Sequence, residues 1–331
     1  MPTYVMLANW TDQGVRAIGD SPRRVDVAKK TLEEMGGQFR SVYMTMGAYD
    51  LIMIYDVPPG SEISAGPHPL PVATYYARLS QRLIGAITAP TAEGRLYEVD
   101  MRLRPSGASG PIASSLAGFA RYQRESAWTW EHMALTRARP VAGDPALRRR
   151  IADAIGSVLT SGRDPERLLV DVADMRRRIA NENPRPLRWD LKNRRGGLID
   201  LEFIVQYLVL REAASSLQLT CRGTEQALRA LGEAGVLPRR AEHELLDALA
   251  LLRHVQALLT LLSGGLPQDE AFSEPDADTL ARCAGAVDFA GLDADITAAV
   301  GRVRGWYQRL IEEPARRAAQ LTAEPTGDSA G

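Results

Sequence analysis

Residues 95–107 read RLYEVDMRLRPSG, an alternation of apolar and charged side chains closed by a Pro-Ser-Gly turn. Successive side chains of a strand point to opposite faces. Tyr97, Val99, Met101 and Leu103 then face a core, while Glu98, Asp100, Arg102 and Arg104 share the other face, in a row about 20 Å long. Carboxylates bind Mg²⁺ and guanidiniums grip phosphate oxygens in pairs, so such a face suits a nucleotide. A solvated face of exposed ion pairs, each worth less than about 1 kcal/mol, would carry the same pattern. Either way, the alternation predicts a strand over 95–104.

Upstream, residues 49–57 (YDLIMIYDV) predict a second strand, apolar on both faces and suited to the middle of a sheet. Asp50 stands at its start. If this strand lies beside 95–104, Asp50 and Asp100 can hold one Mg²⁺; the other reading makes Asp50 a turn residue. Downstream, residues 190–208 (DLKNRRGGLIDLEFIVQYL) set Lys192, Arg194, Arg195 and the pair Gly196-Gly197 ahead of a helix. Glycines let a backbone approach phosphate, and a helix N-terminus favours anions, so Lys192, Gly196 and Gly197 are candidate nucleotide contacts. An ordinary turn between helices explains the same residues. Residues 122–139 (YQRESAWTWEHMALTRAR) hold two tryptophans and His132. Trp128 and Leu135 are seven apart, so a tryptophan is expected in the core, with His132 as a packing residue.

Composition narrows the classes. Of 331 residues, 45% are apolar and 24% charged, which is ordinary for a globular chain, and the length predicts two or three domains. A net charge of −1 gives no global field for nucleic acid or an anionic membrane. The two cysteines, Cys221 and Cys283, form no metal or disulfide framework, and the chain reads as cytoplasmic. The apolar stretch 245–262 is broken by Asp247, Arg253 and His254, which predicts a buried helix and not a membrane span.

Along the chain, a strand at 4–10, a helix opened by Ser21-Pro22, and strands at 39–46 and 49–57 make a βαββ unit. The proline- and glycine-rich stretch 58–71 reads as a linker, and a helix follows over 72–87 with Leu79, Leu83, Ala86 and Ile87 on one side. From residue 113 the pattern is helical, with segments expected at 113–136, 145–160, 165–181, 200–217, 224–234, 239–263, 276–284 and 292–313. The expected fold class is α+β followed by all-α. Its domains are 1–57, 58–142, a helical bundle over 143–315, and a disordered tail over 316–331.

The strings YDVPPGSE (55–62), YYARLSQRLIGAITAPTAEGRLYEVDMRLRPSG (75–107), GPIASSLAGFARYQRESAWTWEHMALTRAR (110–139) and DLKNRRGGLIDLEFIVQYL (190–208) resemble the C-terminal adenylyltransferase region of bacterial glutamine synthetase adenylyltransferases. The resemblance covers about residues 51–314. It implies a polymerase-β-like nucleotidyltransferase sheet followed by a helical bundle, with Mg²⁺ and ATP as donor and a tyrosine of glutamine synthetase as acceptor. A PII-type regulator is a further implied partner. The family's third catalytic carboxylate falls on Asp100, and its nucleotide-gripping arginines on Arg102 and Arg104. Its Gly-Ser-Asp-x-Asp signature is broken here: the second aspartate falls on Asp50, but the first falls on Ala48. Residues 1–57 resemble instead the GYD domain, a small ferredoxin-like module whose name-giving residues are Gly47, Tyr49 and Asp50. Catalysis by Asp50 and Asp100, both magnesium ligands, is therefore expected to be impaired. The alternative is an inactive protein that binds glutamine synthetase or the regulator.

Overall fold

The period-two runs at the front of the chain pair as one antiparallel sheet in the computed structural model. It describes residues 3–10, 21–34, 37–44, 51–56, 71–90, 97–99, 103–140, 144–182, 184, 187–215, 223–263 and 272–323. Strands β1 (Thr3–Trp10), β2 (Gln38–Met44), β3 (Leu51–Asp56) and β4 (Tyr97–Glu98) stand in the order β2-β3-β1-β4. β1 lies against β3 from Thr3 opposite Asp56 to Ala8 opposite Leu51, and against β4 through Asn9 opposite Glu98 and Trp10 opposite Tyr97. β2 follows β3 with an irregularity between Phe39 and Ser41. Helix α1 (Ser21–Glu34) joins β1 to β2, and α2 (Val72–Ile87) precedes β4. The connection is thus β-α-β-β-α-β.

Helical spacing builds the core under this sheet. Ala28 and Leu32 of α1 and Tyr76, Leu79, Leu83 and Ile87 of α2 are buried, and the two helices pack together. The Gly37 N–H reaches back to the Leu32 carbonyl at 2.9 Å, closing α1 as a glycine-bearing end does. Ala86, expected on the buried side of α2, is exposed.

The chain divides into two units, one of Met1–Ala127 with Arg139–Val158, the other of Trp128–Ala138 with Leu159–Gly331. The expected boundary near 142 falls inside the second segment of the first unit, Arg139–Val158. Helix α3 (Leu116–Glu125) and nearly all of α5 (Pro145–Leu159) belong to the first unit, and α4 (Thr129–Leu135) to the second. The single helix expected over 113–136 is broken because the Glu131 carboxylate accepts the Trp128 N–H at 2.9 Å, starting a new helix there. Trp128 is 67% exposed, and Met133 takes the core position instead.

The second unit continues with α6 (Pro165–Glu182), α7 (Leu198–Glu212), α8 (Thr224–Glu233), α9 (Arg239–Ser263), α10 (Glu274–Cys283) and α11 (Phe289–Tyr307). α7 is its axis: Leu201, Ile204, Val205, Leu208 and Leu210 are all buried, and α4, α6, α8, α9 and α11 pack around it. By length and composition α9 is apolar enough to cross a membrane. It buries a single stripe, Leu245, Ala248, Leu252, Val255 and Leu259, against its neighbours, while Asp247 and His254 are exposed.

The chain does not leave the helical path at Pro314. A π-helical turn over Gln308–Glu312 leads into α12 (Glu313–Ala323). Proline lacks an N–H and its ring crowds the carbonyl four residues back. The wider turn, in which the Glu313 N–H bonds the Gln308 carbonyl, lets the helix carry on. The tail expected from 316 is thus helical to Ala323.

Candidate functional site

Asp50, Asp100 and Arg102 lie outside the described residues, as does Ala48. Their strands are described, and they correct one premise. β3 and β4 are not neighbours, because β1 runs between them. Two strand spacings, roughly 9.5 Å, separate the backbones at Leu51 and Glu98. The fourth strand also stops early. Leu103 to Ser106 form turns, so the alternation does not reach Arg104, and Leu103 is 51% exposed instead of facing a core.

That turn is tightly wound. Ser106 is left-handed at φ 61°, Gly107 at 54°, and a Cβ at Gly110 would stand 1.8 Å from the Pro105 carbonyl oxygen. The Arg104 Nε donates to the Gly110 carbonyl at 3.1 Å, so this guanidinium also fastens its own loop.

The loop ahead of α7 is built inward. The Asp190 carboxylate accepts the Asn193 N–H at 2.9 Å and its side-chain amide. The N–H groups of Gly197, Leu198 and Ile199 bond the carbonyls of Arg194, Leu191 and Lys192, and the Gly196 N–H bonds the Asp200 carboxylate at 2.6 Å. These four amides, which a phosphate cradle would present, are committed within the chain. The glycines serve packing. Gly196 has φ +80°, and a Cβ there would meet the Val300 carbonyl oxygen at 2.3 Å; one at Gly197 would meet that of Leu191 at 2.4 Å. Lys192 is exposed. Burial pushes the Arg194 guanidinium below its ordinary pKa, with Arg188 acting in the same sense.

Beneath this loop lies a buried ionic network absent from the sequence expectations. Arg176 of α6 and Asp200 of α7 are both fully buried and paired through the Arg176 Nε. The Arg176 Nη2 donates to the Asn193 carbonyl at 2.9 Å, tying α6 to the loop. Arg195 stands 3.9 Å from Asp200, donates to Glu312 at 2.7 Å, and lies over the Tyr307 ring at 5.1 Å. Arg304 reaches Glu312 at 2.8 Å. Burial, with Asp200 nearby, raises the Tyr307 phenol well above its ordinary pKa, and among the described residues its hydroxyl has no hydrogen-bond partner.

The network floors a cleft of about 480 Å³ within the helical unit, between α6 on one side and α11, the π turn and α12 on the other. Sequence reasoning missed this region; Pro314 and the arginines at 302, 304, 309, 316 and 317 are the signals that could have marked it. A helix expected to end at 313 could not suggest a second wall.

Three family models match the chain: GYD domain over 4–65, glutamate-ammonia ligase adenylyltransferase over 46–154, and GlnD PII-uridylyltransferase over 167–311. The first two overlap across residues 46–65, which include β3. Among curated proteins, the chain is similar to bifunctional glutamine synthetase adenylyltransferase/adenylyl-removing enzymes. That of Xanthobacter autotrophicus is 42% identical over 82% of the chain, that of Bradyrhizobium diazoefficiens 45% over 83%, and that of Agrobacterium fabrum 43% over 83%. Each match covers 28% of the relative, so the chain spans little more than a quarter of the length of these proteins.

Proposed function

We propose, for a chain that belongs to the glutamate-ammonia ligase adenylyltransferase family, that its chemistry is AMP transfer from ATP to a tyrosine of glutamine synthetase, severely slowed by Ala48. The observation that carries this reading is the family match over 46–154, a span that holds Asp50, Asp100, Arg102 and Arg104. In the reaction the acceptor phenol oxygen bonds to the α-phosphorus as the bond to the β-phosphate oxygen breaks. The phenol loses its proton and pyrophosphate leaves. Arg102, Arg104 and Lys192 would hold phosphate oxygens, with Gly196 and Gly197 shaping the loop that carries Lys192. Mg²⁺, when bound, supplies positive charge to the triphosphate. An ion resting on Asp50 and Asp100, as the family resemblance implies, would have to be reached by both carboxylates across β1, which lies between their strands. With alanine in place of the first aspartate, less negative charge remains to hold it.

A second reading has its own support. The β-α-β-β-α-β connection and the β2-β3-β1-β4 order suit a ferredoxin-like front that includes α2 and β4, both from the adenylyltransferase-matching span. A polymerase-β-like sheet would have to share β4 with β1. On this reading the protein is an inactive partner of glutamine synthetase or a PII-type protein. Titration calorimetry with ATP and magnesium separates the two. Saturable binding lost in Asp100→Asn supports transfer; no ATP binding, with retained binding to glutamine synthetase, supports the partner reading.

A further inference from the structure

We propose that the cleft between α6 and the α11–π turn–α12 segment is a binding site for a phosphate monoester of about mononucleotide size. Among the described residues four guanidiniums line it, those of Arg177, Arg195, Arg304 and Arg316, against two carboxylates, Asp174 and Glu312. Four minus two leaves two positive charges, which matches a phosphate dianion and exceeds what a single carboxylate needs.

The arginines are not spent on their acids. Glu312 is shared between Arg195 and Arg304, so one carboxylate serves two cations. Among the described residues the Arg304 Nη1 is buried without a hydrogen-bond partner, as is the Glu312 Oε2, so an anionic oxygen would satisfy the donor once the guanidinium turns into the cleft. Among the described residues Arg316 meets the Glu312 backbone carbonyl, at 3.5 Å, and Arg177 pairs with the partly exposed Asp174. Around these charges the walls are small and apolar, from Val170, Ala173 and Ala315, and Tyr307 adds a ring. A volume of about 480 Å³ accommodates a phosphate with a flat organic body. The π turn matters here, since such turns recur at binding sites, and this one brings Glu312 within reach of Arg195 and Arg304.

The site also has a route to the loop at 190–197. Arg195 contacts Glu312 at the cleft and Asp200 beneath the loop, and Asp200 holds the Gly196 N–H. A phosphate drawing Arg195 from Glu312 would therefore change what holds the loop that carries Lys192. Ligand binding itself does not depend on the AMP-transfer reading.

The test is titration calorimetry of the full chain with AMP and, separately, with inorganic phosphate. Both are expected to bind in the cleft, AMP the tighter. Each of Arg177→Ala and Arg316→Ala, at positions that make few internal contacts, should raise the AMP Kd about tenfold. Ala319→Phe, at an exposed position on the cleft wall, should block AMP without unfolding the unit, as circular dichroism would verify. Asp100→Asn should leave this binding unchanged, which separates the cleft from any transferase site. No heat with millimolar AMP or phosphate would overturn the proposal. So would AMP binding that survives the arginine and Ala319 changes but is lost in Asp100→Asn.

Discussion

Substituting Asp200 by asparagine is expected to remove a large part of the stability of the helical unit. Asp200 and Arg176 are both fully buried, and the carboxylate is the anion that compensates Arg176. Asparagine keeps the shape and can still accept the Gly196 N–H, so the change removes charge and little else. Arg195 lies 3.9 Å away, so the loss of the anion leaves two cations close together. Breaking a buried pair from one side costs about 3–5 kcal/mol, against a native stability of about 5–15 kcal/mol. Removing both charges in Arg176→Met/Asp200→Asn should recover most of this, because no bare charge is then left inside. Urea unfolding followed by tryptophan fluorescence reads the effect, since Trp128, Trp130, Trp189 and Trp306 all lie in this unit. A single variant within about 1 kcal/mol of the parent, or a double variant no more stable than the single, would refute the reasoning.

Gly196→Ala should destabilise the same unit by about 2 kcal/mol or more, combining a left-handed backbone with a Cβ pressed on the Val300 carbonyl; a loss below about 0.5 kcal/mol in urea titration contradicts this. Tyr307 gives an alkaline limit. Its pKa is raised in the fold, so its contribution is intact below about pH 10, the free phenol value, and is lost as pH climbs toward the folded value. Stability measured from pH 9 upward should fall for the parent and fall less for Tyr307→Phe; equal slopes would contradict it. Pro314→Ala should let the π turn relax into α-helix and weaken AMP binding in the cleft, read by calorimetry; unchanged affinity would count against the turn's part in the site.

What could be read from the sequence was local. Helix α2 was legible because Leu79, Leu83 and Ile87 repeat at helical spacing, and β1 to β3 because each is a short run rich in apolar and aromatic residues. The sheet order could not be read, since nothing in an alternation says which strand lies next to which. Hence β1 enters between β3 and β4 unannounced. Residues 102–104 (RLR) looked like a continued strand because arginines alternate with an apolar residue, yet the turn that follows coils the chain back so that Arg104 bonds Gly110. Gly196-Gly197 looked like a phosphate loop because glycine signals only freedom of backbone. Whether that freedom admits a ligand or a neighbouring helix is decided by α11, about a hundred residues away. Arg176 and Asp200 carry no mark of burial in the pattern of either helix. Their burial follows from the packing of α6 on α7, which no single-helix pattern contains.

Incorporation of labelled AMP into purified glutamine synthetase, compared for the chain, Ala48→Asp and Asp100→Asn, bears most directly on the central claim. Slow labelling by the chain, faster labelling by Ala48→Asp and none by Asp100→Asn is the predicted pattern. Labelling that is indifferent to Asp100, or no labelling even with the aspartate restored at 48, would contradict it.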